Sequence, residues 1–298
     1  MAPSIQDAGV EFYQPDEFCT VLGYQSLIAS FFSFVILRFA ILKPVLYRQR
    51  RVALDSARRA LLANHIASYL HALASSAAVI GLFVNHPALL SDMQGVRSGD
   101  AAVEAARRAL AFSTGYFFAD CFDMLVSGTY RTNLGIWGHH IAAIACYTAS
   151  LHTCLLYPYL VFTLVVEINS IFLHHRKVLA LYYPDQQPIP AALEQTNGLA
   201  SHLLLWTFPP TRIFANLYVT YRIFAERNVW QAPAWTWWVA ILGMAAVDWY
   251  NVGLWTQVKR SVAKDRLRRA ANKAGAIADA DKKKDDDWVS KSGTELMD

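Results

Sequence analysis

Runs of mostly apolar residues recur along the chain, near Val21 to Leu42, Leu61 to Val84, Ala109 to Ser127, Ile136 to Leu156, Tyr157 to Leu181, Gly198 to Tyr221 and Ala234 to Val258. A helix needs about 20 such residues to cross the hydrocarbon of a bilayer. The pattern therefore predicts an all-α, polytopic transmembrane helical bundle of about seven spans. Between the fourth and fifth runs only Tyr157-Pro158 is left to make the turn, since proline lacks an N–H and disfavours helix in the residue before it. Composition agrees with this picture: 55% of the 298 residues are hydrophobic, 17% are charged, and the mean hydropathy is +0.23. That is too apolar for an ordinary soluble fold.

Polar residues inside the runs fall at helical spacing, so they share faces. The third run carries Ser113, Tyr116, Asp120, Asp123 and Ser127, and the fifth carries Thr163, Glu167, Ser170, His174 and Lys177. The second gives Asn64, Ser68, His71 and Ser75, the fourth His140, Tyr147 and Cys154, and the seventh Asp248 and Asn251. For any single Ser or Thr, hydrogen bonding between helices is explanation enough, at about 0.6 to 2 kcal/mol per contact. The carboxylates ask for more, because an ionised group at mid-bilayer costs about 2.5 to 3.5 kcal/mol even on the gentler insertion scale. Asp120, Asp123 and Glu167 need partners, and Arg212, His139, His140 and His174 are the candidates. Imidazoles at His139-His140 can serve as base, nucleophile or hydrogen-bond hub, or as polar packing between helices. His174-His175-Arg176-Lys177 reads better as an interfacial basic cluster.

Charge outside the runs sets an orientation. Arg48, Arg50, Arg51, Arg58 and Arg59 crowd the first loop, and Lys259, Arg260, Lys264, Arg266, Arg268 and Arg269 follow the last run. By the positive-inside rule both lie in the cytoplasm. Six spans separate them, so the acidic N-terminus, with no Lys or Arg before Arg38, faces the other side. The basic clusters fit a membrane surface, not nucleic acid. Four cysteines without CxxC spacing predict no disulfide framework, with Cys121, Cys146 and Cys154 read as small buried side chains. The expected organisation is an extracytoplasmic N-terminus (1–20), a first span and basic loop (21–50), the main bundle (51–260) and a disordered charged cytoplasmic tail (261–298).

Several chemistries are disfavoured. None of the nine histidines forms the HxxxH or HxxHH boxes that a di-iron desaturase needs, and no lysine lies between Ala234 and Gln257 to form a retinal Schiff base. What does recur is an ordered set of motifs: Gly115-Tyr116-Phe117-Phe118-Ala119-Asp120-Cys121-Phe122-Asp123-Met124-Leu125, then His139-His140, then Glu167-Ile168-Asn169-Ser170-Ile171-Phe172-Leu173, then Phe208 to Ile213. With these motifs the chain resembles the TLC-domain (TRAM/Lag1/CLN8) family over about Arg51 to Arg260. It is more similar to the TLC-domain-containing, transmembrane-protein-56-like branch than to the ceramide synthases.

The resemblance implies a six-helix core plus an N-terminal span, residence in the endoplasmic reticulum, and a lipid-accessible cavity faced by the histidine pair. Ceramide synthases transfer an acyl group from acyl-CoA to a sphingoid amine. By that resemblance His139 or His140 takes the amine proton or accepts the acyl group, while Asp120, Asp123 and Glu167 orient the imidazoles. Where that branch has several carboxylates, this chain has Glu167-Ile168-Asn169-Ser170. The expected function is lipid homeostasis, including that of sphingolipids, through an acyl lipid held in the cavity. Tyr116, Tyr147, Ser170, His174 and Arg212 join the carboxylates as supporting groups. The alternatives are an acyl-CoA-dependent N-acyltransferase and a non-catalytic structural or chaperone-like module. Membrane lipids are the expected partners; no metal and no cofactor is expected, with acyl-CoA as the one candidate co-substrate.

Overall fold

The computed structural model describes residues 17–48, 55–94, 101–131, 134–183 and 189–294. Residues 1–16 of the acidic N-terminus, together with Arg50 and Arg51, entered the orientation argument and lie outside these residues. Helix α1 (Glu17–Ile36) continues through a π-helical turn, Leu37–Leu42, into α2 (Lys43–Arg48). Helices α3 (Ser56–Asn85), α4 (Ala101–Ser127), α5 (Leu134–Thr153), α6 (Tyr157–Thr163) and α7 (Val166–Tyr182) follow. Helix α8 (Ala191–Phe208) passes through a second π-helical turn, Pro209–Phe214, into α9 (Ala215–Ala225), and α10 spans Ala234–Thr294. No strand occurs among the described residues.

The fold is thus the expected helical membrane bundle. Among the described residues, four stretches are long and apolar enough to cross a bilayer: Cys19–Arg48, Ser56–Asn85, Ala101–Ser127 and Tyr157–Tyr182. Helix α5, the α8–α9 pair and the start of α10 occupy the other three apolar runs. Burial is inverted relative to a water-soluble protein. Trp249 is 84% and Trp206 79% exposed, and Phe32, Ile80, Leu125 and Val126 also face outward, whereas Ser68, His71, Ser113, Asp123 and Asn169 are buried. Hydrocarbon solvates the first group at no cost and rejects the second, so the polar stripes turn inward.

The corner between α5 and α6 differs from expectation. Cys154 (φ 56°) and Leu156 (φ 67°) take left-handed conformations and make the turn, while Tyr157-Pro158 already begins α6. Proline suits a first helical turn, where its missing N–H would have no partner anyway. Non-glycine residues adopt positive φ only when held. Here the Leu156 N–H donates to Gln94 O at 2.7 Å and the Tyr159 N–H to Met93 O at 3.3 Å, strapping the corner to the α3–α4 connection.

A second correction concerns the cysteines: Cys19 and Cys154 form a disulfide. The bond fastens the start of α1 to this corner. Spacing offered no sign of it, because 135 residues separate the partners. Farther along α1, Gly115 of α4 allows backbone-close packing. A Cβ there would sit 2.5 Å from Ser30 Cβ and 2.6 Å from Leu27 O, and Ser30 Oγ donates to Phe112 O at 2.6 Å. Helix α3 is started by Asp55, whose carboxylate accepts the Arg58 N–H at 2.6 Å.

The chain divides into two compact units, Met1–Val252 and Gly253–Asp298. The first holds the bundle. The second is the basic and then acidic end of α10, whose helical backbone extends to Thr294.

Candidate functional site

Four of the polar stripe residues meet Arg38 in one buried network. Asp120 and Asp123, one turn apart on α4, both accept from the Asn64 side-chain amide on α3, at 2.7 and 3.2 Å. Arg38 Nε lies 2.5 Å from Asp123 Oδ1. His140 Nδ1 of α5 lies 3.0 Å from Asp120 Oδ2, approached obliquely, so the contact is an ion pair more than a linear hydrogen bond. Charge therefore runs Arg38, Asp123, Asn64, Asp120, His140 across three helices and the first π-helical turn.

A second cluster lies alongside. His71 stacks on Tyr116 with ring centroids 3.8 Å apart, its Nε2 is 2.9 Å from Ser75 Oγ, and Ser75 contacts Ser113 at 3.1 Å. Its Nδ1 is 3.9 Å from Glu167 Oε2 on α7. The Tyr116 hydroxyl donates to Ser68 Oγ at 2.9 Å. Tyr147 and Thr163 share a hydrogen bond of 2.9 Å, and Phe117 packs between the rings of His140 and Tyr147.

The third cluster centres on buried Arg212. Its Nε donates to Asn169 Oδ1 at 2.9 Å, Nη2 to Ser170 Oγ at 2.6 Å and Nη1 to Asn251 Oδ1 at 3.2 Å. Asn251 returns a bond from Nδ2 to Arg212 O at 3.2 Å. Asn169 also donates to Leu204 O and Thr207 Oγ1. The side chain thus ties α7 to α10 through neutral groups.

These positions sort the sequence candidates. Asp120, Asp123, Glu167, Ser170, Tyr116, Tyr147, His140 and Arg212 are all buried. Ser127 and Lys177, at the ends of their stripes, are exposed. The expected carboxylate partners need correcting. Of the four, only His140 contacts a carboxylate; Arg38, Asn64 and His71 supply the rest. Arg212 takes amide and hydroxyl oxygens instead. The histidine pair splits as well, because neighbours on a helix point about 100° apart. His140 reaches Asp120, while half-buried His139 stacks on Tyr250 at 4.9 Å and its Nδ1 has no hydrogen-bond partner. His174 turns toward His65, at 5.6 Å between rings.

Arg38 and Asn169 were not singled out by the stripes as ligands of this interior. Arg38 did carry a signal: it is the one charge between Val21 and Leu42, and a lone cation inside an apolar run marks a buried partner.

With this geometry in place, the TLC-domain family model matches residues 62–258. The chain belongs to the TLC-domain family. It is 25% identical over 198 residues to TLC domain-containing protein 2 of Danio rerio, covering 66% of this chain and 75% of the relative. It is 37% identical over 76 residues to TLC domain-containing protein 2 of Mus musculus, covering 26% and 24%. A third relative, TLC domain-containing protein 1 of Gallus gallus, is 25% identical over 158 residues, covering 53% and 58%. No solved structure matches. The TLC domain holds Asn64, Asp120, Asp123, His140, Glu167, Arg212 and Asn251, whereas Arg38 comes from α1, before the matched residues.

The TLC domain also encloses an apolar cleft of about 430 Å³, its open mouth included, between α5, α6, α9 and α10. Cys146, Leu156, Tyr159, Val219, Trp230 and Met244 line it. No histidine or carboxylate does. A cleft lined this way favours an apolar group over a polar one.

Chemically, the Asp120–His140 pair is the part able to move a proton. A carboxylate at Nδ1 holds the imidazole in the tautomer that leaves Nε2 as acceptor. It also stabilises the imidazolium once a proton has been taken. Nothing equivalent stands behind His139.

Proposed function

We propose that the protein is a multi-pass membrane protein of lipid homeostasis that holds an acyl lipid inside its bundle, the head group beside His140 and the chain in apolar surroundings. The observation that carries this reading is the network Arg38, Asp123, Asn64, Asp120 and His140, buried within apolar helices. Burying two carboxylates in hydrocarbon is costly. Helix association alone is served by Ser, Thr or Asn at lower cost. Membership of the TLC-domain family and an apolar cleft support the same reading.

A second reading, N-acyl transfer from acyl-CoA, is favoured by one observation: His140 is backed by Asp120 at 3.0 Å in the manner of a general base. His140 would take the amine proton as the nitrogen attacks the thioester carbonyl, and would return it to the CoA sulfur as the C–S bond breaks and CoA leaves as the thiol.

In the endoplasmic reticulum, with the C-terminus cytoplasmic, the start of α1 would face the lumen. The Cys19–Cys154 disulfide supports that orientation, because disulfides persist in the lumen and not in the cytosol.

The deciding experiment is lipidomics on cells lacking the protein, rescued with wild type, His140→Ala or Asp120→Asn. An altered sphingolipid or phospholipid profile restored by wild type alone is the expected result. An unchanged profile in the deletion refutes lipid homeostasis. Failure of purified protein to acylate any long-chain amine, with the profile altered, leaves lipid holding and refutes transfer.

A further inference from the structure

Arg212 is a buried cation surrounded by neutral oxygens. Its three hydrogen bonds go to two amides and a hydroxyl. A guanidinium has five N–H donors, so two are left over. Glu167 acts on it only through space, beyond ion-pair distance, and is itself 3.9 Å from His71. Asp123 and Asp120 are taken by Arg38 and His140, and half-buried Asp248 accepts from Thr220 Oγ1 at 3.5 Å. The residue occupies a π-helical turn, where Pro209 and Pro210 lack N–H groups and the Ala215 N–H reaches back to Pro210 O. Such widened turns aim side chains that a regular helix would not.

What lies beside Arg212 matters as much as its charge. His139, Arg212 and Asn251 each precede or follow a lining residue of the apolar cleft by seven positions: Cys146 on α5, Val219 on α9 and Met244 on α10. Seven positions are two helical turns, about 10 Å. Three helices therefore place a polar floor at the same depth below one apolar cleft. His139 Nδ1 is buried there without a hydrogen-bond partner, and the Arg212 field reaches His139. Arg212 thus lies about two helical turns from the apolar cleft, with half-buried Asp248 between Met244 and Asn251 on α10.

We propose that Arg212 anchors the anionic oxygens, carboxylate or phosphate, of a single-chain acyl lipid whose tail lies in the cleft between α5, α6, α9 and α10. This rests on the lipid-holding reading above and adds the head-group class. A guanidinium pairs with either anion through two parallel N–H donors, which matches the two it has spare. Asn169, Ser170 and Asn251 hold its plane in place for that contact.

The test uses the full chain in neutral maltoside micelles and three 16-carbon probes: palmitate, palmitoyl lysophosphatidate and uncharged monopalmitin. At least one anionic probe should bind tenfold or more tighter than monopalmitin, and the preferred one tells carboxylate from phosphate. Arg212→Gln should abolish that preference while monopalmitin binds as before, and Arg212→Lys should keep part of it. Met244→Trp, which fills the cleft without touching the cation, should weaken all three. Equal binding of the three probes by wild type overturns the proposal, as does a preference that survives Arg212→Gln. Should Arg212→Gln not fold, wild-type selectivity and Met244→Trp still decide. If no probe binds wild type at all, the lipid-holding reading falls too, an outcome distinct from loss of selectivity alone.

Discussion

Replacing Arg38 by Met removes the counterion of Asp123 and leaves the carboxylate buried, with only the Asn64 amide at 3.2 Å to accept from. Breaking a buried ion pair at one partner costs about 3 to 5 kcal/mol. One retained hydrogen bond to a charged group offsets roughly 1.5 to 3 kcal/mol of such a loss where it is fully made. At 3.2 Å, and shared with Asp120, the Asn64 contact sits at the weak end. Arg38→Met should therefore destabilise the bundle by about 2 to 3 kcal/mol. Removing both charges is a different perturbation, because no unpaired ion remains. Arg38→Met combined with Asp123→Leu should recover most of the loss, since apolar replacement of a buried pair is often neutral or better. Equilibrium unfolding in mixed detergent, run on wild type, both single variants and the double variant, gives the coupling energy directly. A double variant no more stable than Arg38→Met refutes the pairing, and with it the claim that α1 neutralises the interior.

Three further perturbations test other parts of the structure. Gly115→Ala places a methyl against Leu27 O and Ser30 Cβ and should cost about 1 to 3 kcal/mol as an overpacked contact, measured by the same unfolding assay; unchanged stability refutes the close α1–α4 packing. Cys154→Ser should cost about 2 to 4 kcal/mol through the long loop that the disulfide closes. Alkylation under non-reducing conditions should label Cys121 and Cys146 but not Cys19, and a labelled Cys19 in wild type counts against the bond. His140→Ala should abolish rescue of a lipid defect in deletion cells, whereas His139→Ala should retain most of it because no carboxylate stands behind that ring; equal loss in both would mean that the pair acts as a unit.

How much of this could be read beforehand varies with the range of the interaction. Helical spacing found the inward faces, since a membrane forces polar groups away from lipid: Ser68, His71, Ser113, Asp120, Asp123 and Glu167 are all buried. It did not find who meets whom. Asn64 joins Asp120 and Asp123 across 56 and 59 positions, a pairing that depends on how α3 and α4 rotate against each other. Periodicity carries no information about that rotation. The expected pairing of Arg212 with a carboxylate failed for the same reason. Asn169 lies only two positions beyond Glu167 and is turned about 200° from it, so a guanidinium aimed at one does not meet the other. The corner at Cys154 to Leu156 was misplaced because neither residue favours positive φ; straps from Met93 and Gln94, distant in sequence, impose it.

The two buried arginines that flank the site share a local device. Arg38 and Arg212 both occupy π-helical turns closed by an N–H reaching five residues back, from Lys43 to Arg38 O and from Ala215 to Pro210 O. Proline accounts for both: Pro44 follows the first turn by two residues, and Pro209 and Pro210 open the second. A missing donor breaks the regular ladder, and the wider turn restores carbonyl partners while shifting the register by one residue. In an apolar helix that shift sends a single long side chain to the inner face and leaves its neighbours toward lipid. Arg38 uses this to reach Asp123 from α1, a segment before the matched TLC domain. It follows that residues 62–258 alone would bury Asp123 without its guanidinium. A chain lacking Glu17–Arg48 should then lose more stability than Arg38→Met and loss of the disulfide together, because the packing against Gly115 goes too, and restoring the segment with Arg38→Met should return everything except the ion pair's share.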